Sequence, residues 1–372
     1  MNIIFILVVF FYILLTLLFT FSFRNPSAAT SELEPKISII VAVRNEAQNL
    51  SASLQSLRDV NYPLEKYEIV IVDDNSNDDS PEIIKRFAAD PLFRCIHMNE
   101  NQKTRPGKAG AILEGINQSR GEIIFVTDAD CRVPRNWVKN LLRYFDKDTG
   151  LVGGFTLLDR QGDNASRWEK IQSCDLSYLL GIAAASAHLK KPVSWLGNNM
   201  AFRRTAYDEV GGYAALGHSL VEDFALINAI AGSGKWNVVF THHPDSLVTS
   251  RPSTNMMDFY QQRKRWISGM NRVPMFGLFV MASSFLGHLV VVAAFLLLPI
   301  KLAVAGLFFF FIADFIFLFR VLASLHRKDL LRYFFDFEWL YFAYTLLLPF
   351  LHFFDRKIRW KNESYDHDGN YV

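Results

Sequence analysis

Hydrophobic positions along the chain follow two patterns. Long apolar runs occupy residues 2–23 and, interrupted near Lys301, residues 274–319, whereas residues 36–252 carry short β-branched runs that alternate with amphipathic stretches. Apolar runs of about 20 residues are typical of helices that cross a bilayer. Short apolar runs separated by amphipathic stretches are typical of α/β domains. The pattern therefore predicts a membrane part and a soluble part.

The N-terminal run, residues 2–23, is expected to be an uncleaved transmembrane anchor. The small residues at 27–29 allow a signal-peptide cleavage site. However, no basic residue precedes the run, and the run is longer than the roughly 7–15 residues of a signal-peptide core. The first basic residue, Arg24, follows the run. The positive-inside tendency then places the residues after it in the cytosol.

The C-terminal apolar region predicts two or three further membrane helices. Residues 274–319 are long enough for a hairpin of two helices. A third candidate, residues 339–354, is short and contains a proline, so it is expected to be tilted, kinked or re-entrant if it does not cross fully. Basic residues flank it on both sides, which leaves the side of the tail open. Asp314, inside the hairpin, is expected to pair with Arg320, the alternative being an ion path.

The soluble segment predicts a doubly wound α/β domain with a mostly parallel sheet. Apolar runs rich in β-branched residues are typical of parallel strands, which are buried on both faces. The stretches between these runs are expected to be helices, two of which begin with proline. The predicted strands are residues 37–43, 67–72, 93–98 and 122–126, and the predicted helices are residues 46–60, 81–89, 108–118 and 134–145.

Acidic side chains follow the predicted strands at the edge where α/β folds bind ligands. Asp73 and Asp74 come after the second strand, and the pair Asp128 and Asp130 comes after the fourth. Alternate residues at a strand end point the same way, so this second pair brings two like charges together and requires a cation. Oxygen ligands suit a hard divalent metal such as Mg²⁺ or Mn²⁺.

A basic loop with two glycines, residues 105–110, precedes the third predicted helix. It brings Lys108 to a helix N-terminus, where phosphate groups commonly bind. Its spacing differs from that of a P-loop, which argues against an NTPase. No G-x-G-x-x-G follows the first strand, which argues against a nicotinamide dehydrogenase. The sequence therefore predicts a metal site that faces a phosphate site.

Composition narrows the classes of partner. The chain of 372 residues is 51% hydrophobic and has 33 Phe, more apolar surface than one soluble core needs. Its 39 basic and 37 acidic residues give a net charge of +2, too balanced for a nucleic-acid-binding surface. Cys95, Cys131 and Cys174 lack the paired spacing of a zinc or redox motif and are expected to be reduced thiols.

The ordered series of motifs resembles the family 2 glycosyltransferases with a GT-A fold. It is most similar to their membrane-bound branch, which includes cellulose, chitin, hyaluronan and poly-N-acetylglucosamine synthases and ceramide glucosyltransferase. The motifs are ISIIVAVRNE, VDDNSND, PGKAGAI, TDADC, LVEDFAL and QRKRW, within residues 37–270. Together they are far more specific than any one of them. The apolar runs and the resemblance together predict an anchor over 1–23, a Rossmann-like GT-A domain over 24–272, membrane helices over 273–355 and a tail over 356–372.

The resemblance also implies roles for the acidic and basic residues of the α/β segment. Asp73 and Asp74 are expected to hold the uracil and ribose of a UDP-sugar, with Lys108 beside the base or the diphosphate. Asp128 is expected to approach the ribose and the metal. Asp130 is expected to bind the divalent cation that bridges the diphosphate.

Five further residues have roles implied by the resemblance. Asp223 falls at the position of the general base, although a valine precedes the Glu-Asp pair where many relatives have threonine. In the Q-x-x-R-W motif, Arg265 is expected to approach the diphosphate, while Gln262 and Trp266 lie on the acceptor side. Gly197 belongs to a segment that resembles the acceptor loop of the family, and a plain strand with an edge turn is an equal alternative.

These expectations describe a metal-dependent, inverting glycosyltransferase in a bacterial cell membrane. Its donor is expected to be a nucleotide sugar, UDP-linked, and its acceptor a lipid or saccharide hydroxyl at the cytosolic face. The departing diphosphate needs cations, the incoming hydroxyl needs a base, and a single displacement inverts the anomeric centre. The alternatives are a processive polysaccharide synthase of the same family, a nucleotide-binding scaffold or transporter, and a nucleotidyltransferase.

Overall fold

The computed structural model describes residues 2–28, 34–98, 107–159, 165–216, 221–268, 273–354, 358–360 and 363–365. The chain divides into two compact units. We call them the α/β unit, Asn25–Arg160 with Trp195–Arg251, and the helical unit, Met1–Arg24 with Gln161–Ser194 and Pro252–Val372. The four-segment domain division expected from the sequence stays a prediction.

The regular elements are numbered in chain order, and short 3₁₀ helices occur at Leu64–Lys66, Pro244–Ser246 and Lys328–Tyr333. The helices and strands are α1 (Asn2–Ser22), β1 (Ile37–Val43), α2 (Ala47–Arg58), β2 (Tyr67–Asp73), α3 (Ser80–Phe87), β3 (Phe93–His97), α4 (Gly107–Gln118), β4 (Ile123–Asp128), α5 (Trp137–Leu142), β5 (Thr149–Gly154), β6 (Thr156–Leu158), α6 (Arg167–His188), β7 (Met200–Arg203), α7 (Arg204–Glu209), α8 (Gly212–Ala215), α9 (Glu222–Gly232), β8 (Asn237–Thr241), β9 (Val248–Ser250), α10 (Met256–Ser268), α11 (Met275–Leu297), α12 (Ile300–Ser324), α13 (Phe334–Phe354), β10 (Ile358–Trp360) and β11 (Glu363–Tyr365).

The α/β unit is built on a seven-stranded, mostly parallel sheet, which confirms the expected fold class. The strand order is β3-β2-β1-β4-β7-β5-β8. Strands β1 to β4 run parallel, and β7 is antiparallel to both of its neighbours. The register aligns Val43 with Asp73 and Ala42 with Asp128. The ends of β1, β2 and β4 therefore lie at one edge of the sheet, as the sequence predicted.

One predicted helix of this unit is shorter than expected. The stretch 134–145 is helical only at α5, Trp137–Leu142. Pro134 lies in a preceding turn, where its carbonyl oxygen accepts a hydrogen bond of 2.9 Å from the backbone N–H of Trp137. Trp137 then packs edge-on against Phe125 of β4. The proline therefore begins a turn at the base of α5 and not the helix itself.

The helical unit contains four helices in the described residues that are long and apolar enough to cross a membrane. They are α1 at the N-terminus and α11, α12 and α13 toward the C-terminus. This agrees with the expected one N-terminal helix and two or three C-terminal helices. Helix α1 packs against α11 and α12, and α6 packs against α1, α12 and α13. Strand β10 in the tail lies against α10.

The third C-terminal helix is longer than its apolar run predicted. Its 21 residues extend the expected segment 339–354 toward the N-terminus, to Phe334. The added residues include two acids, which interrupt the apolar run in the sequence. Asp336 pairs with Arg167 of α6 at 2.5 Å, and Glu338 is fully buried. The fold supplies the ion partner of the first acid and the burial of the second.

The expected pairing of Asp314 with Arg320 is wrong. The Asp314 carboxylate, 0% exposed, accepts hydrogen bonds from the hydroxyls of Tyr12 at 2.9 Å and Tyr178 at 2.5 Å. Arg320 instead donates to the backbone carbonyl oxygen of Phe23 at 3.2 Å. The carboxylate of α12 thus joins α1 and α6, and buried polar groups of this kind are costly to leave without partners.

Replacing Asp314 is therefore expected to destabilise the helical unit. In Asp314→Leu, the hydroxyls of Tyr12 and Tyr178 lose their acceptor, and we expect a loss of about 1–3 kcal/mol. Thermal unfolding of the full chain in detergent measures it. Phe309→Leu, at an exposed position of the same helix, is the control and is expected to leave the midpoint near the parent value. Equal midpoints for both variants would contradict the role of the carboxylate.

Candidate active site

The first two predicted carboxylates lie at the end of β2. Asp73 accepts a hydrogen bond from the backbone N–H of Ser76 at 3.1 Å, and its other oxygen is 2.8 Å from Nδ1 of His97. Asp74 forms an ion pair with Arg44 at 3.6 Å. Both carboxylates are 3% exposed. No role for His97 or Arg44 was predicted from the sequence, because these residues come from neighbouring strands that only the sheet brings close to Asp73 and Asp74.

The loops after β1 and β2 are tied to each other. Asn45 and Asn75 have left-handed backbones, with φ of 54° and 58°, a conformation that asparagine tolerates better than most residues. The Asn45 side chain accepts a hydrogen bond from the N–H of Asn77 at 2.9 Å, and the Ser76 hydroxyl accepts one from the N–H of Asn45 at 3.1 Å. These hydrogen bonds hold together the loops after β1 and β2, beside Asp73 and Asp74.

The second pair of carboxylates follows β4. Single ligand atoms from Asp128, Asp130 and Cys131 lie within 4.8 Å of one another. The Ser250 hydroxyl donates to Asp130 at 3.2 Å, and the Cys131 thiol contacts the other oxygen at 3.5 Å. Burial, with the charges of Asp130 and Asp128, raises the pKa of the Cys131 thiol well above its usual value. The thiol is therefore a neutral neighbour, and the two carboxylates are the donors available to a hard cation.

Lys108 connects these carboxylates to helix α9. Its Nζ lies 2.5 Å from Oδ1 of Asp128 and 3.5 Å from Oε1 of Glu222. Burial favours the neutral amine, but the negative charges of Asp128, Glu222 and Asp223 outweigh burial and raise the pKa of Lys108. Lys108 is therefore a cation at neutral pH, and it lies in the first turn of α4 as the sequence predicted.

Asp223, the predicted base, lies in the first turn of α9. One carboxylate oxygen accepts a hydrogen bond from the N–H of Gly197 at 2.5 Å, and the other accepts one from the N–H of Phe224 at 2.8 Å. Burial and the charge of Glu222 raise the pKa of Asp223 to about 6, against the opposing effects of Lys108 and the two backbone N–H groups. A carboxylic acid with such a pKa can accept a proton near neutral pH.

Gly197 lies in direct contact with this carboxylate. A Cβ at position 197 would be 2.6 Å from Cβ of Asp223 and 3.0 Å from Oδ2. Only glycine leaves room for this approach. The structure therefore places Gly197 beside the predicted base, before β7 begins at Met200, and its role toward an acceptor stays a prediction.

The remaining predicted residues lie in the helical unit. Gln262, Arg265 and Trp266 all belong to α10. Arg263, which the sequence did not single out, donates a hydrogen bond to Oε1 of Gln262 at 3.1 Å, and its guanidinium lies 4.1 Å from the centre of the Trp266 ring. The predicted residues therefore fall into two groups, one at the sheet edge of the α/β unit and one on α10.

The sheet, its acidic edge and the apolar helices have the features that the motif series predicted for a glycosyltransferase of the GT-A type. The chain belongs to Glycosyl transferase family 21, whose model matches residues 1–370. This confirms the class of enzyme that the motif series indicated.

Curated relatives share this class at moderate similarity. The beta-monoglucosyldiacylglycerol synthase of Trichormus variabilis is 26% identical over 251 residues, which are 66% of this chain and 52% of the relative. The poly-beta-1,6-N-acetyl-D-glucosamine synthase of Staphylococcus epidermidis is 26% identical over 238 residues, which are 64% of this chain and 55% of the relative. The chain thus spans about half the length of the curated relatives it matches.

A solved structure shows the same fold. The mannosyltransferase PcManGT from Pyrobaculum calidifontis, determined in complex with GDP-Man and Mn²⁺, superposes with a TM-score of 0.60 at 18% identity. The alignment covers 90% of this chain and 97% of that chain. This likeness supports the fold class.

The contact between Gly197 and Asp223 predicts a sharp difference between two glycine substitutions. Gly197→Ala is expected to destabilise the protein by about 1–3 kcal/mol, because the new Cβ overpacks against Asp223. Gly232→Ala, in the same helix as Asp223, has no atom within 4 Å of the added Cβ and is expected to be neutral or slightly stabilising. Chemical or thermal unfolding of the two variants measures this, and equal stabilities would contradict the close approach.

Proposed function

We propose that the protein is an inverting, metal-dependent glycosyltransferase. It transfers a sugar from a nucleotide-diphosphate sugar to the hydroxyl of a lipid or saccharide at the cytosolic face of the membrane. The observation that carries this proposal is the Lys108 cation, which contacts Asp128 at 2.5 Å and Glu222, the neighbour of Asp223, at 3.5 Å. A cation of this kind suits a departing diphosphate next to an attacking hydroxyl.

The donor class follows from the sheet edge. Asp73 ends β2 and Asp74 follows it, and the family resemblance assigns this pair to the base and ribose of a UDP-sugar. The complex of PcManGT with GDP-Man supports a nucleotide-diphosphate sugar as the donor class. We assign the uridine base on the resemblance alone, and the family role of Arg265 toward the diphosphate is part of the same proposal.

Asp128 and Asp130 fit a divalent metal, Mg²⁺ or Mn²⁺. One oxygen from each carboxylate lies within 4.8 Å of the other, both residues are partly exposed, and the Ser250 hydroxyl donates to Asp130 at 3.2 Å. Such a donor set of carboxylates suits hard cations that keep waters and phosphates as further ligands. When bound, the metal supplies positive charge to the leaving diphosphate. The Mn²⁺ in the PcManGT complex supports a divalent metal.

Asp223 is the general base in this proposal. Its carboxylate accepts the proton of the acceptor hydroxyl, a step that contributes about 10²–10⁴ in rate for a well-placed base. The N–H of Gly197 holds one oxygen of this carboxylate at 2.5 Å, which fixes the direction of its lone pairs. Direct attack by a hydroxyl activated by this one base inverts the anomeric centre.

The membrane helices support a membrane-associated acceptor. The four long apolar helices of the described residues support an integral membrane protein, and a relative named for a glucosyldiacylglycerol supports a lipid acceptor. Following the charge after α1, we place the α/β unit in the cytosol of a bacterial cell. A processive polysaccharide synthase is the second candidate, supported by the relative named for poly-N-acetylglucosamine.

Transfer assays on membranes test the proposal. Membranes with the parent chain are incubated with a panel of labelled nucleotide sugars and Mg²⁺ or Mn²⁺, and the products are partitioned between organic and aqueous phases. Asp130→Ala and Asp223→Asn are expected to lower transfer by about 10²-fold or more. Asp208→Asn, an exposed acid of the α/β unit, is expected to transfer at the parent rate.

The product distinguishes the candidates. A lipid-extractable monoglycoside supports the single-transfer enzyme, and a long aqueous polymer supports the processive synthase. A parent chain that binds nucleotide sugar and transfers nothing would indicate a nucleotide-binding scaffold or transporter. Release of diphosphate from a nucleoside triphosphate would indicate a nucleotidyltransferase.

The raised pKa of Asp223 predicts the acidic limb of the pH profile. Because the base acts in its ionised form, kcat/KM is expected to fall as the pH drops below about 6. Glu222 raises this pKa, so Glu222→Gln is expected to move the limb to lower pH. Glu65→Gln, at an exposed acid, is the control. A limb that stays in place in Glu222→Gln would contradict Asp223 as the titrating base.

A further inference from the structure

A buried ion pair joins α6 to α10 in the helical unit. Asp175 of α6 is 0% exposed and Arg263 of α10 is 3% exposed, and the guanidinium contacts one carboxylate oxygen of Asp175. The other oxygen accepts a hydrogen bond of 2.6 Å from the hydroxyl of Tyr344 on α13. Burying two charges is costly unless their geometry is good and their remaining polar atoms are satisfied. The ion pair and the Tyr344 hydroxyl therefore join the three helices.

The same guanidinium contacts two residues of the Q-x-x-R-W motif. It donates to Oε1 of Gln262 at 3.1 Å and lies 4.1 Å from the centre of the Trp266 ring. The ring of Phe259, one turn earlier on α10, is 4.4 Å away, and the ring of Tyr344 is 5.8 Å away. A planar guanidinium can stack on rings and donate in its own plane at once, which a lysine cannot do.

We infer that Asp175 and Arg263 are positioning residues for the acceptor side of the reaction. Asp175 fixes the Arg263 guanidinium, and this guanidinium fixes the amide of Gln262 and the ring plane of Trp266. The inference rests on the proposed function, since Gln262 and Trp266 have their acceptor role there. It adds two residues that touch neither donor nor acceptor and act through side chains that do.

A second ion pair of α6, made with α13, provides a control. Arg167 of α6 and Asp336 of α13 form two hydrogen bonds at 2.9 and 2.5 Å. Their side chains are 73% and 25% exposed, so the pair is largely solvated, and exposed ion pairs contribute little to stability. Removing one charge there tests the effect of losing an ion pair without touching Arg263.

Kinetics of the full chain in membranes test the positioning role. Asp175→Asn and Arg263→Lys are expected to raise the KM for the acceptor on the order of 10- to 100-fold, because small displacements of substrate-positioning groups have effects of this size. The KM for the nucleotide sugar is expected to stay within about twofold, since uniform effects on folding change the amount of active enzyme and not one KM. Asp336→Asn is expected to match the parent in both KM values.

A double variant covers the case in which a lone buried charge prevents folding. Replacing a buried ion pair by apolar residues of similar volume often preserves folding, so Asp175→Leu with Arg263→Met is expected to fold. It is expected to keep the high KM for the acceptor, because no guanidinium reaches Gln262 and Trp266. A parent-like KM in this folded double variant would show that the pair only stabilises the helices.

Hydrogen exchange gives a readout that requires no transfer. Asp175→Asn is expected to increase exchange in the peptide that covers Met256–Ser268, and Asp336→Asn is not. Equal exchange in both variants would contradict the anchoring of α10. A parent chain that transfers no sugar would contradict the proposed function, whereas an active parent with an unchanged acceptor KM in Asp175→Asn would contradict the positioning role alone.

Discussion

The α/β site depends on the Lys108 cation, which lies among several carboxylates. Parallel strands bring Asp73, Asp74 and Asp128 to a single edge, and α9 adds Glu222 and Asp223. Without positive charge, these carboxylates would repel one another strongly, because the edge of the sheet is poorly solvated. The ammonium of Lys108 connects the end of β4 to the start of α9. The position of α4 therefore determines how the negative charges of the site are balanced.

The same constraint sets the pKa of Asp223. Burial and Glu222 favour the protonated acid, whereas Lys108 and the N–H groups of Gly197 and Phe224 favour the carboxylate. The balance leaves a pKa of about 6, a value that suits a base at neutral pH. Since Gly197 approaches without a side chain, the backbone donor reaches the carboxylate directly. A carboxylate that is partly desolvated yet well oriented combines reactivity with a defined geometry.

Buried charges with polar partners also organise the helical unit. Apolar surface is interchangeable among membrane helices and selects no particular arrangement. Specific arrangement comes from contacts such as those of Asp314 with Tyr12 and Tyr178, and of Asp175 with Arg263. Both of these carboxylates have partners on other helices, because an unpaired polar group in an apolar setting is costly. Aromatic side chains fill the space between these polar contacts.

The sequence by itself determined the parts that depend on local pattern. Apolar runs placed α1, α11 and α12, short β-branched runs placed β1 to β4, and ordered motifs predicted the carboxylates and the cation of the site. Tertiary structure alone decided the partners. The pairing of Asp314 with tyrosines, the length of α13, the contact of Gly197 with Asp223 and the role of Arg263 all involve residues far apart in the chain. Local pattern reports whether a residue prefers water or burial, but which charge or hydroxyl satisfies it depends on how distant elements pack.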